Sequence, residues 1–341
     1  MDDEIAATYD DFGRRWAHDT SPLYEEWATG IAADADMLGL LRRLPNARRQ
    51  PTLIFAAARW EGAPLAPYPE WRNWLLANGD RVIATALERT TQTNEPNRCA
   101  TWLPPLSLIE GPIALLEVGT SAGLCLYPDR YSTEYTTPAG VVRVDPDSGP
   151  SGVLLACSLD DASAVPARMP DVVWRRGIDL NPIDAADPDA VAWLATLVWP
   201  GPHHDARVAR LHAAARIAAA DPPQIVRGDL LDRLEDVAAE APADATLVVF
   251  HSAVLLYLNA EQRRRFADLV ARLGQAIGRD VVWLSNETKG TLPEIDAQVP
   301  ADADTSHRFV QTRDGVAIAM AGQHGALYET LPFRGRASGR S

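Results

Sequence analysis

From residue 112 onward, short apolar runs rich in β-branched residues alternate with stretches of helical periodicity, and this alternation restricts the fold more than any other feature of the chain. Residues 113–118 form the first run. Runs at 172–178, 224–227, 246–250 and 280–284 follow, separated by helical patterns over about 187–199, 204–220, 230–240 and 259–277. Strands that alternate with helices need crossover connections, and these give a parallel sheet covered on both faces. Residues 308–311 and 316–320 flank Asp314-Gly315, a pair suited to a type I′ hairpin turn, and 327–331 supplies one more strand. The expected fold is therefore α/β, with a Rossmann-like sheet that ends in an antiparallel hairpin.

The first hundred residues read differently. Tyr9, Phe12 and Trp16 recur at helical spacing, as do Tyr24, Trp27 and Ile31, and Ser21-Pro22 offers an N-cap followed by proline at the first helical position. Aromatic residues in such a pattern are read as core. The expected organisation is an all-helical N-terminal cap at 1–107 and a Rossmann-like, methyltransferase-type domain at 108–335. The Pro-, Asp- and Ser-rich segment at about 127–170 reads as an insertion carrying a strand at 141–144.

With a formal net charge of −14, the chain lacks the basic surface that gripping nucleic acid backbone requires, so general nucleic-acid binding is not expected. Arg14, Arg15, Arg42, Arg43, Arg48 and Arg49 read as solvated helix faces. The acidic start is followed by no apolar signal region, and no segment approaches the ~18 consecutive apolar residues of a membrane helix. Cys99, Cys125 and Cys157, odd in number and widely spaced, fit reduced thiols in a cytoplasmic protein.

The most informative stretch is Leu115-Leu116-Glu117-Val118-Gly119-Thr120-Ser121-Ala122-Gly123-Leu124: an apolar strand, a glycine turn and an apparent helix start. A dinucleotide fingerprint would need glycines where Ser121 and Leu124 stand. Acidic-x-G-x-x-x-G, carried by Glu117, Gly119 and Gly123, is instead the first motif of Rossmann-like methyltransferases, whose cofactor has an amino-acid end and no phosphate. Gly119 to Gly123 also matches G-x-S-x-G, the nucleophile elbow of serine hydrolases, with Ser121 as nucleophile and His251, His307 and His324 downstream. Against the hydrolase stands the order of elements, because Gly119 closes the first convincing strand. A third reading is a nucleotide-ligand binding protein without turnover.

Later strand ends favour the methyltransferase order. Asp179 and Asn181 follow one strand, and Asp179 suits a ribose; Asp145, after the run at 141–144, is its competitor. Asp229-Leu230 closes the next strand, near an adenine. His251 ends the fourth as a candidate base, with Tyr257 the second choice, and Asn286-Glu287 ends the fifth. His203-His204-Asp205 has no partner at metal-ligand spacing and reads as a helix N-terminus, so no metal is expected.

Several longer motifs carry a family resemblance. Thr91-Gln92-Thr93-Asn94-Glu95-Pro96, Arg98-Cys99-Ala100, Glu117 to Leu124, Asp129-Arg130-Tyr131, Trp174 to Pro182 and Phe250 to Leu255 resemble a bacterial family known only as domain of unknown function 2332. The resemblance spans nearly the whole chain and carries no established activity. It implies a functional role for Asp179 ahead of Asp145, and gives the 91–98 segment weight beyond a linker. That segment reads as a lid wall from the helical part, with Asn94, Glu95 and Arg98 orienting a polar substrate. The combined expectation is an S-adenosylmethionine-dependent methyltransferase acting on a small polar acceptor. Glu117, Gly119, Thr120, Ser121, Gly123, Asp179, Asn181, Asp229 and Leu230 would hold the cofactor, with His251 or Tyr257 taking the proton.

Overall fold

The computed structural model describes residues 2–331. Helices α1 (Asp2–Asp11), α2 (Pro22–Ala32), α3 (Ala35–Leu41), α4 (Pro51–Trp60), α5 (Tyr68–Glu88) and α6 (Cys99–Ser107) come first. Strands β1 (Pro112–Val118), β2 (Ser132–Thr137), β3 (Gly140–Val144), β4 (Leu154–Leu159) and β5 (Asp171–Asp179) follow. The chain continues through α7 (Pro188–Thr196), α8 (His204–Ala220), β6 (Gln224–Arg227), α9 (Leu230–Ala239), β7 (Thr246–Ser252), α10 (Ala260–Ile277) and β8 (Val281–Glu287). It closes with α11 (Pro293–Asp296), β9 (Arg308–Arg313), β10 (Val316–Gly322) and β11 (Leu327–Thr330). Contacts divide it into two units: the chain up to Thr93 with Asp187–His212, and Asn94–Ala186 with the chain from Ala213 onward. Asn94, Glu95 and Arg98 therefore belong to the sheet unit.

In the helical unit, the Ser21 hydroxyl accepts from Tyr24 N and Pro22 opens α2, as its cap sequence dictates. The core is aromatic. Trp27 stacks on Trp71 at 4.4 Å, and Phe55 meets Tyr24, Trp27 and Trp71. Trp16 does not join it and is 46% exposed. Residues Phe12–Ala17 are a π-helix, whose wider turn rotates Trp16 off the face that α-helical spacing assigns it. The returning segment is anchored inside this unit: Trp193 Nε1 donates to Thr90 O, and the Arg59 guanidinium donates to Thr196 O and Val198 O.

The second unit holds one eleven-stranded sheet in the order β3-β2-β4-β11-β10-β9-β8-β7-β1-β5-β6. Five neighbouring strands, β6-β5-β1-β7-β8, are mutually parallel. From β1 the chain builds outward through β5 and β6, then returns to build β7 and β8 on the other side. The order reverses between β1 and β7, and ligands of open α/β sheets bind at the carboxyl ends beside such a switch point. Val249 packs into the apolar cluster that includes Phe266 and Val270 of α10, while its neighbour Phe250 meets Trp102 of α6 at 5.5 Å. Successive side chains point to opposite faces, so α10 and α6 cover opposite faces of the sheet.

The hairpin at Asp314-Gly315 has positive φ at both residues (52° and 77°), as a type I′ turn requires. The segment at 127–170 contributes three strands to the same sheet, joined through the parallel pairing of β4 with β11. Asp145 consequently follows the edge strand β3, at the far side of the sheet from β1, where its carboxyl accepts from the Ser132 hydroxyl and from Arg143. No helix among the described residues is long and apolar enough to cross a membrane.

Candidate functional site

The turn after β1 alternates left-handed residues: Gly119 (φ 70°), Ser121 (φ 52°) and Gly123 (φ 70°). Glycine is required at 119, because a Cβ there would overlap Val254 Cγ2 on the loop after β7. Gly119 N and Thr120 N both donate to Ile178 O, tying the turn to β5. The α-helix expected to start at this turn does not form. Leu124–Leu126 makes one 3₁₀ turn, and Pro128 excludes Tyr127 from helical backbone, leaving it at φ −119° and ψ 41°. The turn therefore offers backbone N–H groups without a helix dipole behind them.

Asp179, the last residue of β5, closes the arrangement. Its Oδ2 accepts from Ser121 N at 2.8 Å and its Oδ1 from Asn181 N at 2.7 Å. Asn94 reaches the same turn, with Nδ2 donating to Ser121 Oγ at 2.7 Å and Oδ1 accepting from Ala122 N at 3.1 Å. Glu117 lies beneath, 6% exposed, with Oε2 accepting from the Thr120 hydroxyl at 2.6 Å. Burial pushes its carboxyl up to about 8, against the Thr120 bond and the charge of Arg98, and nearby Asp179 adds to the rise.

The segment from Asn94 to Arg98 serves as a clasp rather than an open wall. Glu95, Asn97 and Arg98 are buried. Arg98 Nε donates to Gln323 O, and the guanidinium lies 5.3 Å from the centre of the Phe309 ring. Asn97, absent from the sequence reading, donates to Ala156 O and His324 O and accepts from Ala156 N. A buried side chain that satisfies both neighbouring backbones has no hydropathy signature.

The structure gives His251 a different role from the base its strand-end position suggested. The ring is fully buried; its Nδ1 contacts Glu287 Oε1 at 2.8 Å, and its Nε2 accepts from Trp283 Nε1 at 3.1 Å. Nε2 accepts, so Nδ1 is the donating nitrogen. Both nitrogens are spent inside the fold, which leaves His251 available neither to a substrate nor as a base for Ser121. Glu287 Oε1 also accepts from Val254 N and Leu255 N at 2.9 and 3.0 Å, so the His251–Glu287 pair fixes the loop after β7. Tyr257, at the end of that loop, is 73% exposed.

Asp229 follows β6 and caps α9, with Oδ1 accepting from Leu231 N; Leu230 is that helix's first residue. Arg227 donates to Leu180 O, joining the ends of β6 and β5. The fold thus gathers Asn94, Glu117, Gly119, Thr120, Ser121, Gly123, Asp179 and Asn181 around one turn. Tyr257 and Asp229 lie at the carboxyl ends of flanking strands, and His251 is withdrawn into the core. No curated protein matches the chain. Residues 6–329 match the model of the bacterial family described as "Uncharacterized protein conserved in bacteria (DUF2332)", and the chain belongs to that family.

Proposed function

We propose that this protein binds S-adenosylmethionine at the carboxyl ends of β1, β5 and β6 and transfers its methyl group to a small polar acceptor. The observation that carries the reading is Asp179, hydrogen-bonded to the glycine turn at the carboxyl end of β5, next to the switch point. An ionised carboxyl has about four acceptor positions. Backbone N–H groups take one on each oxygen, and the remainder suit a pair of ribose hydroxyls. Asp229 keeps Oδ2 for an amino group while Oδ1 holds its helix.

The bound cofactor would supply an electrophilic methyl group on a sulfonium. The chain's own tasks are then to hold, orient and exclude water. Gly119 and Gly123 keep the turn's backbone approachable, Glu117 backs it, and Tyr257 remains the side chain of the two proton-handling candidates that a substrate can reach.

Isothermal titration with S-adenosylmethionine and S-adenosylhomocysteine, with NAD as control, tests the reading. Micromolar binding of the first two, weakened at least about tenfold by Asp179→Ala, is the expected outcome. Absence of binding would remove the methyltransferase reading, and labelling of Ser121 by a fluorophosphonate would replace it with a serine hydrolase.

A further inference from the structure

We infer that the loop after β7, with Glu287 beneath it, is a subsite for a small molecule with a flat apolar body and a hydrogen-bond-donating head, an amine or a hydroxyl. The inference deepens the proposed function by naming the class of its second substrate, and rests on that reading only for calling the ligand a substrate.

Two independent observations carry it. The first is the way the loop is held. Ala253 sits at φ 55°, a costly conformation for a residue with a Cβ. The backbone is nevertheless fixed: Ala253 N donates to Asn286 O, Val254 N and Leu255 N to Glu287, and Tyr257 N to Val254 O. Arg263 Nε donates to Leu255 O and Leu258 O from the other side. A loop tied this tightly is not exposing its side chains through looseness, yet Leu256 is 43% and Tyr257 73% exposed. An aromatic ring and an isobutyl group held out at the ligand-binding edge of a sheet offer a surface to a flat apolar partner.

The second observation is Glu287 itself. Oε1 receives all three donors, whereas Oε2 is buried and has no hydrogen-bond partner among the described residues. A buried acceptor left without a donor destabilises the fold, and fixing the loop requires only the other oxygen. Glu287 binds Val254 N and Leu255 N, directly before Leu256 and Tyr257 in the same loop, which brings the polar and apolar halves of the subsite together. A ligand that donates to Oε2 while its ring covers Tyr257 satisfies both.

The test uses the full chain and benzylamine as probe, with benzyltrimethylammonium (ring and charge, no N–H) and cyclohexylmethylamine (N–H, no flat ring) as controls. Binding is followed by saturation-transfer NMR, with and without S-adenosylhomocysteine. Benzylamine should bind, and both controls should bind more weakly. Tyr257→Ala, a surface change, should raise its dissociation constant about tenfold while Tyr257→Phe leaves it near wild type. Glu287→Gln should abolish the preference for benzylamine over benzyltrimethylammonium; should that variant not fold, the same preference in wild type tests the donor requirement. Equal binding by wild type and Tyr257→Ala, no preference over the controls, or no benzylamine binding at all would overturn the subsite. Binding of S-adenosylhomocysteine without benzylamine would overturn the subsite alone, and the converse would overturn only the cofactor reading.

Discussion

The helical unit half-buries one carboxyl group and the sheet unit fully buries another, and the two are treated in opposite ways. In the helical unit, Asp34 caps α3 by accepting from Asp36 N and Met37 N. It also receives the Arg72 guanidinium and, at 3.0 Å, the Tyr68 hydroxyl. The Arg72 bond leads the causes that hold its carboxyl down at about 2. In the sheet unit, Glu117 accepts one hydroxyl, and burial pushes it up to about 8. Backbone strain follows the same division. The four non-glycine residues with positive φ among those described, Ser121, Ala253, His307 and Asp314, all lie in the sheet unit, and two of them follow β1 and β7. A carboxyl that serves the fold is paired until its charge is stabilising. One that is buried under-paired beside strained backbone costs the fold stability, a combination that clusters at functional sites in proteins generally.

Glu117→Gln should break this contrast with the largest effect. The folded pKa of about 8 lies above the ordinary 4.5, so the stability contributed by the protonated carboxyl is fully present below about 4.5. It is lost as pH rises through about 8, because the folded chain must then hold a buried charge. The groups acting on Glu117 are Thr120 from its own turn, Arg98 from the clasp and Asp179 from β5. The glutamine variant lacks the titration and should gain on wild type across that window, by about 5 kcal/mol at most. Urea unfolding at about pH 5 and about pH 9 reads the difference. A constant gap between the two proteins would mean that Glu117 is charged in the folded state throughout.

The sheet of this second unit was largely legible, and the reason lies in its central strands. β1, β7 and β8 are buried on both faces, so each carries a continuous apolar stretch, at 113–116, 247–250 and 281–284. β2 gave no such signal. Ser-Thr-Glu-Tyr-Thr-Thr is polar throughout, yet most of it is buried between β3 and β4, where backbone pairing decides the structure. The site was legible to the same depth. Glu117 stands in the apolar run of β1, the glycine turn follows it and Asp179 ends β5, positions that spacing along the sequence picks out. His251 shares that placement, but a strand's register does not tell which buried partners its ring will find. Trp283 and Glu287 settle the matter only when β8 is laid beside β7. The 3₁₀ turn at Leu124–Leu126 is a similar case, since Pro128 overrides the helix that the preceding glycine turn suggests.

Gly119→Ala sharpens the comparison from the strained side. The new Cβ would meet Val254 Cγ2 and sit at φ 70°, combining overpacking with a left-handed penalty, for a loss of about 3 kcal/mol. Adding Val254→Ala should recover about 1 kcal/mol of it, because only the packing part is relieved. Denaturant midpoints of the three variants measure both parts. Full recovery would assign the cost to Val254 alone and leave the turn unstrained; no recovery would assign it all to backbone conformation.

Asp34→Ala has the smallest expected effect and the opposite pH dependence. Removing the cap costs about 1 kcal/mol, and losing the Arg72 and Tyr68 partners brings the total to about 2 kcal/mol at neutral pH. The Asp34 carboxyl is depressed below its ordinary 3.8, so its charge-dependent contribution is fully present above that value and is lost as pH falls through about 2. The gap between wild type and variant should therefore narrow on acidification, whereas the Glu117→Gln gap narrows over a separate window, as pH falls from about 8 to about 4.5. Thermal melts at about pH 7 and about pH 2 give the comparison. A gap that persists in acid would make Asp34 a cap whose neutral form serves as well as its charge. The two carboxyls would then differ in the number of partners they satisfy and not in the sign of what ionisation does to the fold.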